Sequence, residues 1–119
     1  MDKYIILLPL HYNDGSAVPP SEIDTAIDEF YRLAGGYTLE GHVKGAYRMR
    51  SGDKQEDDLL RVSVALEEGA EEELRSLVRK LCFRFRQECI WLEKANSVIE
   101  LVEPDPSQGA DREQGEAAT

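Results

Sequence analysis

The stretch GYTLEGHVKGAYRMRSGDKQEDDLLRVSVAL, Gly36 to Leu66, holds two runs of alternating residues separated by a polar, glycine-containing segment. In the first run Leu39, Val43, Tyr47 and Met49 alternate with Glu40, His42, Lys44 and Arg48. In the second, Leu60, Val62, Val64 and Leu66 alternate with Arg61 and Ser63. A period of two puts successive side chains on opposite sides of a pleated strand, so the stretch predicts two strands, each with one buried face. The segment between them, Ser51 to Asp58, predicts a hairpin loop.

Working outward, both flanks are helical. Upstream, Ile23, Ala26, Ile27, Phe30 and Leu33 recur at helical spacing, with Ser21 as the expected N-cap and Asp24 three residues on. Gly35 and Gly36 predict the stop, because a helix often ends on a left-handed residue that favours glycine. Downstream, Glu71, Glu72 and Glu73 open a second helix whose stripe is Leu74, Leu77, Val78, Leu81, Cys82 and Phe85. Its basic residues fall toward its end, an order that suits the helix dipole.

Beyond each helix lies one more strand. Tyr4 to Leu10 is nearly continuous in apolar residues, which predicts a central strand covered on both faces and ending at Pro9. At the other end Cys89 to Leu92 predicts a strand, Asn96-Ser97 a turn, and Val98 to Val102 a last short strand or an extension. The order strand-helix-strand-strand-helix-strand predicts an α+β fold, the ferredoxin-like sandwich: a four-stranded antiparallel sheet with two helices on one face. The expected division is a domain at residues 1–102 and a disordered acidic tail at residues 103–119.

Composition bounds the function. Of 119 residues 41% are apolar and 32% charged, a balance that supports one folded core. The formal charge is −10. Five of the 24 acids and one of the 14 bases fall in residues 103–119, leaving 19 acids against 13 bases, a net −6, before them. Such a surface repels the phosphate backbone, and the strand positions that would stack on bases carry Ile, Leu, Val and Ser, so nucleic acid is not an expected partner. Nor is a membrane: the apolar run Tyr4 to Leu10 is too short to cross one and has no small-residue cleavage site after it. Cys82 and Cys89 are expected as reduced thiols and the cytoplasm as the compartment.

No phosphate-loop, dinucleotide, serine-esterase or zinc-protease motif is present, and no cofactor is expected. The topology instead predicts a polar edge that gathers His11, Asn13, Asp14, Arg48, Arg50, Asp57, Asp58, Gln87 and Glu88. His11 beside Asp14 has the composition of a general base with an orienting carboxylate, and Arg48 that of an anion-binding group. Asn13-Asp14-Gly15 is equally a tight-turn sequence. The hairpin acids do not match a calcium loop, nor do the cysteines and histidines have zinc spacing, so no metal site is expected.

Two surfaces predict partners. Phe83 falls opposite the apolar stripe of the second helix among Arg75, Arg79 and Arg86, the composition of a protein-interface anchor. The alternative is that the tail or last strand covers it. The first strand, apolar on both sides, needs a cover on the sheet face that the helices leave open, and a homodimer through that face is expected.

The punctuation HYNDG (His11 to Gly15), GGYT (Gly35 to Thr38), GAYR (Gly45 to Arg48) and Gln87-Glu88 resembles that of small bacterial ferredoxin-like proteins of unknown function. The resemblance covers most of residues 4–102 and implies the fold and a polar edge, with no catalytic residue carried over. The expected function is a ligand- or protein-binding module, an accessory or regulatory subunit of a larger bacterial system. The alternative is a small cofactor-independent enzyme of the dimeric α+β barrel type, an isomerase, decarboxylase or monooxygenase, which requires a closed apolar pocket adjoining His11.

Overall fold

The computed structural model describes residues 1–108. Its elements are β1 (Asp2–Pro9), α1 (Pro20–Ala34), β2 (Thr38–Arg48), β3 (Lys54–Leu66), α2 (Glu71–Arg84) and β4 (Leu92–Val98), followed by a 3-10 turn at Pro106–Gln108. The sheet order is β2-β3-β1-β4, every neighbouring pair antiparallel, and both helices pack on one face. This is the ferredoxin-like sandwich. Among the described residues no helix is long and apolar enough to cross a membrane.

The alternation of β1 divides its residues between two environments. Tyr4, Ile6 and Leu8 join Leu60, Val62, Val64 and Leu66 of β3 in the core beneath the helices. From α1 come Ile23, Ala26 and Phe30, and from α2 Leu74, Leu77, Val78, Leu81 and Phe85, the stripes that the helical spacing predicts. Each large side chain buried there contributes about 1.5–3 kcal/mol relative to its exposed state. Arg84 of α2 forms an ion pair with Glu29 of α1, joining the two helices at their margin.

Ile5 lies on the other face, yet only 2% of it is exposed. Its cross-strand partners are Ser63 and Glu93, and the side chains around it cover it within the single chain. Ile5 therefore needs no second copy to bury it. The apolar ground left open on that face lies toward the other end of β1.

Four details differ from the sequence expectation. Pro19 occupies the N-cap of α1 and Pro20 its first turn, so Ser21 is inside the helix, where no side chain caps the terminus. A proline suits this position because its missing N–H belongs to the orphan set of the first turn. The hairpin turn is short, Met49 N–H donating to Asp53 O at 2.8 Å, and Gln55 to Asp58 belong to β3. They read as loop because this end of the hairpin carries polar side chains on both faces.

In β2 the register shifts between Leu39 and His42, with Gly41 at φ +101°, a left-handed conformation that a side chain would strain. The bulge changes the parity, so Leu39 and Val43 face opposite sides and β2 has no buried face. Finally, β4 begins only at Leu92, so Cys89 to Trp91, expected as strand, belong to the connection from α2; it runs through Asn96-Ser97, the expected turn, and ends at Val98 without a further strand. As an edge strand paired on one side only, it does not need an apolar alternation. Of the expected tail, residues 103–108 include the 3-10 turn, and residues 109–119 lie outside the described residues.

Candidate functional site

The β2–β3 hairpin is longer than the strand beside it. Pro9, the last residue of β1, pairs with Leu59, so the section from Gly45 to Asp57 projects beyond β1. The connection between α2 and β4 runs along this projection: Glu88 accepts from Arg50 N–H at 3.3 Å, and Leu7 N–H donates to Trp91 O at 3.2 Å.

Between the two lies a recess of about 430 Å³. Leu7 and Pro9 of β1, Leu59 of β3, and Gly45 and Tyr47 of β2 form its strand side; Gln87, Cys89, Ile90 and Trp91 form the connection side. By strand parity these strand residues belong to the face opposite the helices. Apart from Asp57 and Gln87 the lining side chains are aliphatic, aromatic or thiol. Gly45 gives the recess its width, since a Cβ there would stand 3.2 Å from Leu59 Cδ1.

Asp57 is the one carboxylate in the lining among the described residues. It accepts from Gln55 Nε2 at 3.2 Å and has no ion-pair partner among the described residues. The Tyr47 hydroxyl is buried without a hydrogen-bond partner among the described residues, and burial, reinforced by Cys89, Glu88 and Asp57, pushes its pKa up. Cys82 is also pushed up by burial, so the inner thiol has little thiolate character.

The residues of the sequence-predicted edge separate onto the two sides of the hairpin. Asp57 and Gln87 line the recess. Asp58 turns to the helix side, with His11 Nδ1 at 3.9 Å and Lys44 Nζ at 3.7 Å. His11 is 43% exposed and does not line the recess. Asp14 folds back on its own turn, accepting from Ser16 N–H at 2.9 Å and Ser16 O–H at 2.5 Å, contacts that lower its pKa. The carboxylate beside His11 is thus that of Asp58.

Asn13 donates to Arg86 O at 3.5 Å. Glu88 holds the Arg50 backbone, while Arg48, opposite Lys54, forms no ion pair among the described residues.

On α2, Phe83 is 90% exposed, and no described part of the tail or last strand covers it. Its arginines have intramolecular partners: Glu72 accepts from Arg75 at 2.8 Å and from Arg79 at 3.2 Å, and the Arg86 guanidinium lies 5.0 Å from the centre of the Tyr12 ring. Arg86 occupies the left-handed position after α2, φ +57°. Gln87 N–H donates to Cys82 O and Arg86 N–H to Phe83 O, the paired bonds of a Schellman stop built without glycine.

A further cluster on the open face escaped the sequence reading. Glu40 accepts from Lys3 Nζ at 2.9 Å, Arg61 Nε at 2.7 Å and Ser63 Oγ at 2.8 Å. These hydrogen bonds hold its carboxyl at about 2, against an ordinary 4.5. The only signal in the sequence was polar residues at strand positions facing one another, which alternation assigns to solvent.

No protein-family profile matches the sequence, and no curated protein shows a significant match to it. Solved structures do match. A phage SAM lyase in complex with S-methyl-5'-thioadenosine aligns at TM-score 0.58 and 12% identity, over 82% of this chain and 92% of the lyase. CutA1 from Pyrococcus horikoshii aligns at 0.57 and 15%, over 84% and 88%. The divalent cation tolerance protein CutA1 from Thermus thermophilus aligns at 0.56 and 16%, over 92% and 91%. At these identities the likeness establishes the ferredoxin-like fold and carries no activity across.

Proposed function

We propose that this chain is a non-enzymatic binding module whose ligand site is the recess on the open sheet face. The observation that carries the reading is the recess itself: apolar walls, a few polar groups, and a volume within the usual range for small-molecule sites. The Asp57 carboxylate, without an ion-pair partner among the described residues, supports it, because it gains most from a ligand that brings the missing partner. The enzyme alternative has less support: it needs an enclosed apolar pocket beside His11, and that imidazole is partly exposed on the other side of the hairpin.

Self-association belongs to the same proposal. Leu7, Leu59 and Trp91, the last 59% exposed, form the open apolar ground of that face, and two copies meeting there would roof the recess. Phe83 is a second, separate surface suited to a protein partner, as expected of an accessory subunit.

Trp91 is the single tryptophan and lines the recess, so its fluorescence reports occupancy directly. Titration with hexanol should change the Trp91 emission saturably in the wild type, and Gly45→Val, which fills the recess, should abolish the change while circular dichroism stays native. An emission change of equal size in both proteins would refute the assignment. Sedimentation at micromolar concentration tests the association, with a monomer contradicting it.

A further inference from the structure

We infer that the recess selects small organic cations with an apolar body, alkylammonium compounds being the simplest case; this rests on the recess being the ligand site.

The argument begins with charge. Among the described residues no lysine, arginine or histidine lines the recess, and its one carboxylate is that of Asp57. The neighbouring acids of β3 have cations within reach: Asp58 has His11 and Lys44, and Glu56 has Lys54 at 3.1 Å. Among the described residues Asp57 has only the neutral amide of Gln55. A half-buried carboxylate against apolar walls loses hydration without gaining a counter-ion, so it favours a ligand that supplies one.

The aromatic lining points the same way. Trp91 and Tyr47 both border the recess, and ring faces attract cations through their quadrupole. This chain already places cations over two other tyrosines, Arg86 over Tyr12 at 5.0 Å and Lys94 over Tyr4 at 5.9 Å. The net charge of −10 raises the local concentration of cations around the whole molecule and repels anionic ligands. The apolar remainder, Leu7, Pro9, Leu59 and Ile90, requires a hydrocarbon body and disfavours a bare metal ion, whose strong hydration these walls cannot replace.

The test compares three ligands of equal shape, hexylammonium, hexanol and hexanoate, titrated against the full chain by Trp91 fluorescence. Hexylammonium should bind about tenfold more tightly than hexanol, and hexanoate more weakly than either, as expected for one charge-assisted contact. Asp57→Asn should retain hexanol binding and bring the two affinities together, and Asp57→Glu should keep the preference.

Equal affinity for hexylammonium and hexanol in the wild type would overturn the cation inference and leave the recess assignment standing. No response to any of the three would overturn both. An emission change that follows protein concentration alone, with none from hexylammonium, would mean that a second copy fills the recess, and would likewise overturn the inference.

Discussion

Asp57 and Asp58, adjacent in β3, present their carboxylates to opposite sides of the hairpin: Asp57 lines the apolar recess, while Asp58 stands 3.9 Å from His11 and 3.7 Å from Lys44. The strand period separates what the sequence places together. Their substitutions should therefore differ in kind. Asp58→Asn removes exposed ion pairs and should change stability by less than about 0.5 kcal/mol without altering Trp91 titrations. Asp57→Asn should alter the titrations.

Phe83 and Phe85 make a matched pair two residues apart at the end of α2, the first 90% exposed and the second fully buried. Phe85→Ala should cost about 3–5 kcal/mol through lost burial and the cavity left behind. Phe83→Ala should stay within about 0.5 kcal/mol. Urea unfolding of the two variants reads both values.

The Glu40 cluster should appear in acid. Its carboxyl pKa is depressed in the folded state, so the stabilisation is complete above the unfolded value near 4.5 and is lost as pH falls toward about 2. Allowing for solvent screening of the partly exposed Lys3 and Arg61, the loss should be about 1–2 kcal/mol. Urea midpoints measured from pH 6 to pH 2.5 should fall less steeply in Glu40→Gln than in the wild type.

Arg86 carries backbone strain at φ +57° and offsets part of it by lying over Tyr12. Arg86→Ala keeps the strain and loses the ring contact; Arg86→Gly loses both. The glycine variant should be the more stable of these two by about 1 kcal/mol in chemical denaturation. The reverse order would mean that the left-handed position costs nothing here.

Wherever one face of an element is buried, the sequence made it legible. The stripes of α1 and α2, the doubly apolar β1 and the core half of β3 all carry a period that only one packing satisfies. Phe83 was legible for the same reason, as the aromatic residue out of phase with its helix. The hairpin end was not: Gln55 to Asp58 are polar on both faces of a projecting strand pair, and such a strand has the composition of a loop.

The Gly41 bulge reversed the parity of β2, which no periodicity could reveal in advance. The recess depends on both features and on where the connection from Gln87 to Trp91 returns to β1. Its residues are spread over four segments, and only the register brings them together. Of the polar edge expected from the topology, Asp57 and Gln87 line the recess while His11 lies beside Asp58 on the other side of the hairpin, a division that strand parity makes and composition does not show.

The central claim is the location of the ligand site, and two-dimensional amide NMR of the full chain titrated with hexylammonium tests it most directly. The account predicts shifts concentrated at Leu7, Gly45, Leu59, Cys89 and the Trp91 indole, with His11 and Phe83 unmoved. Shifts centred on His11, Lys44 and Asp58, with the recess residues unchanged, would contradict it.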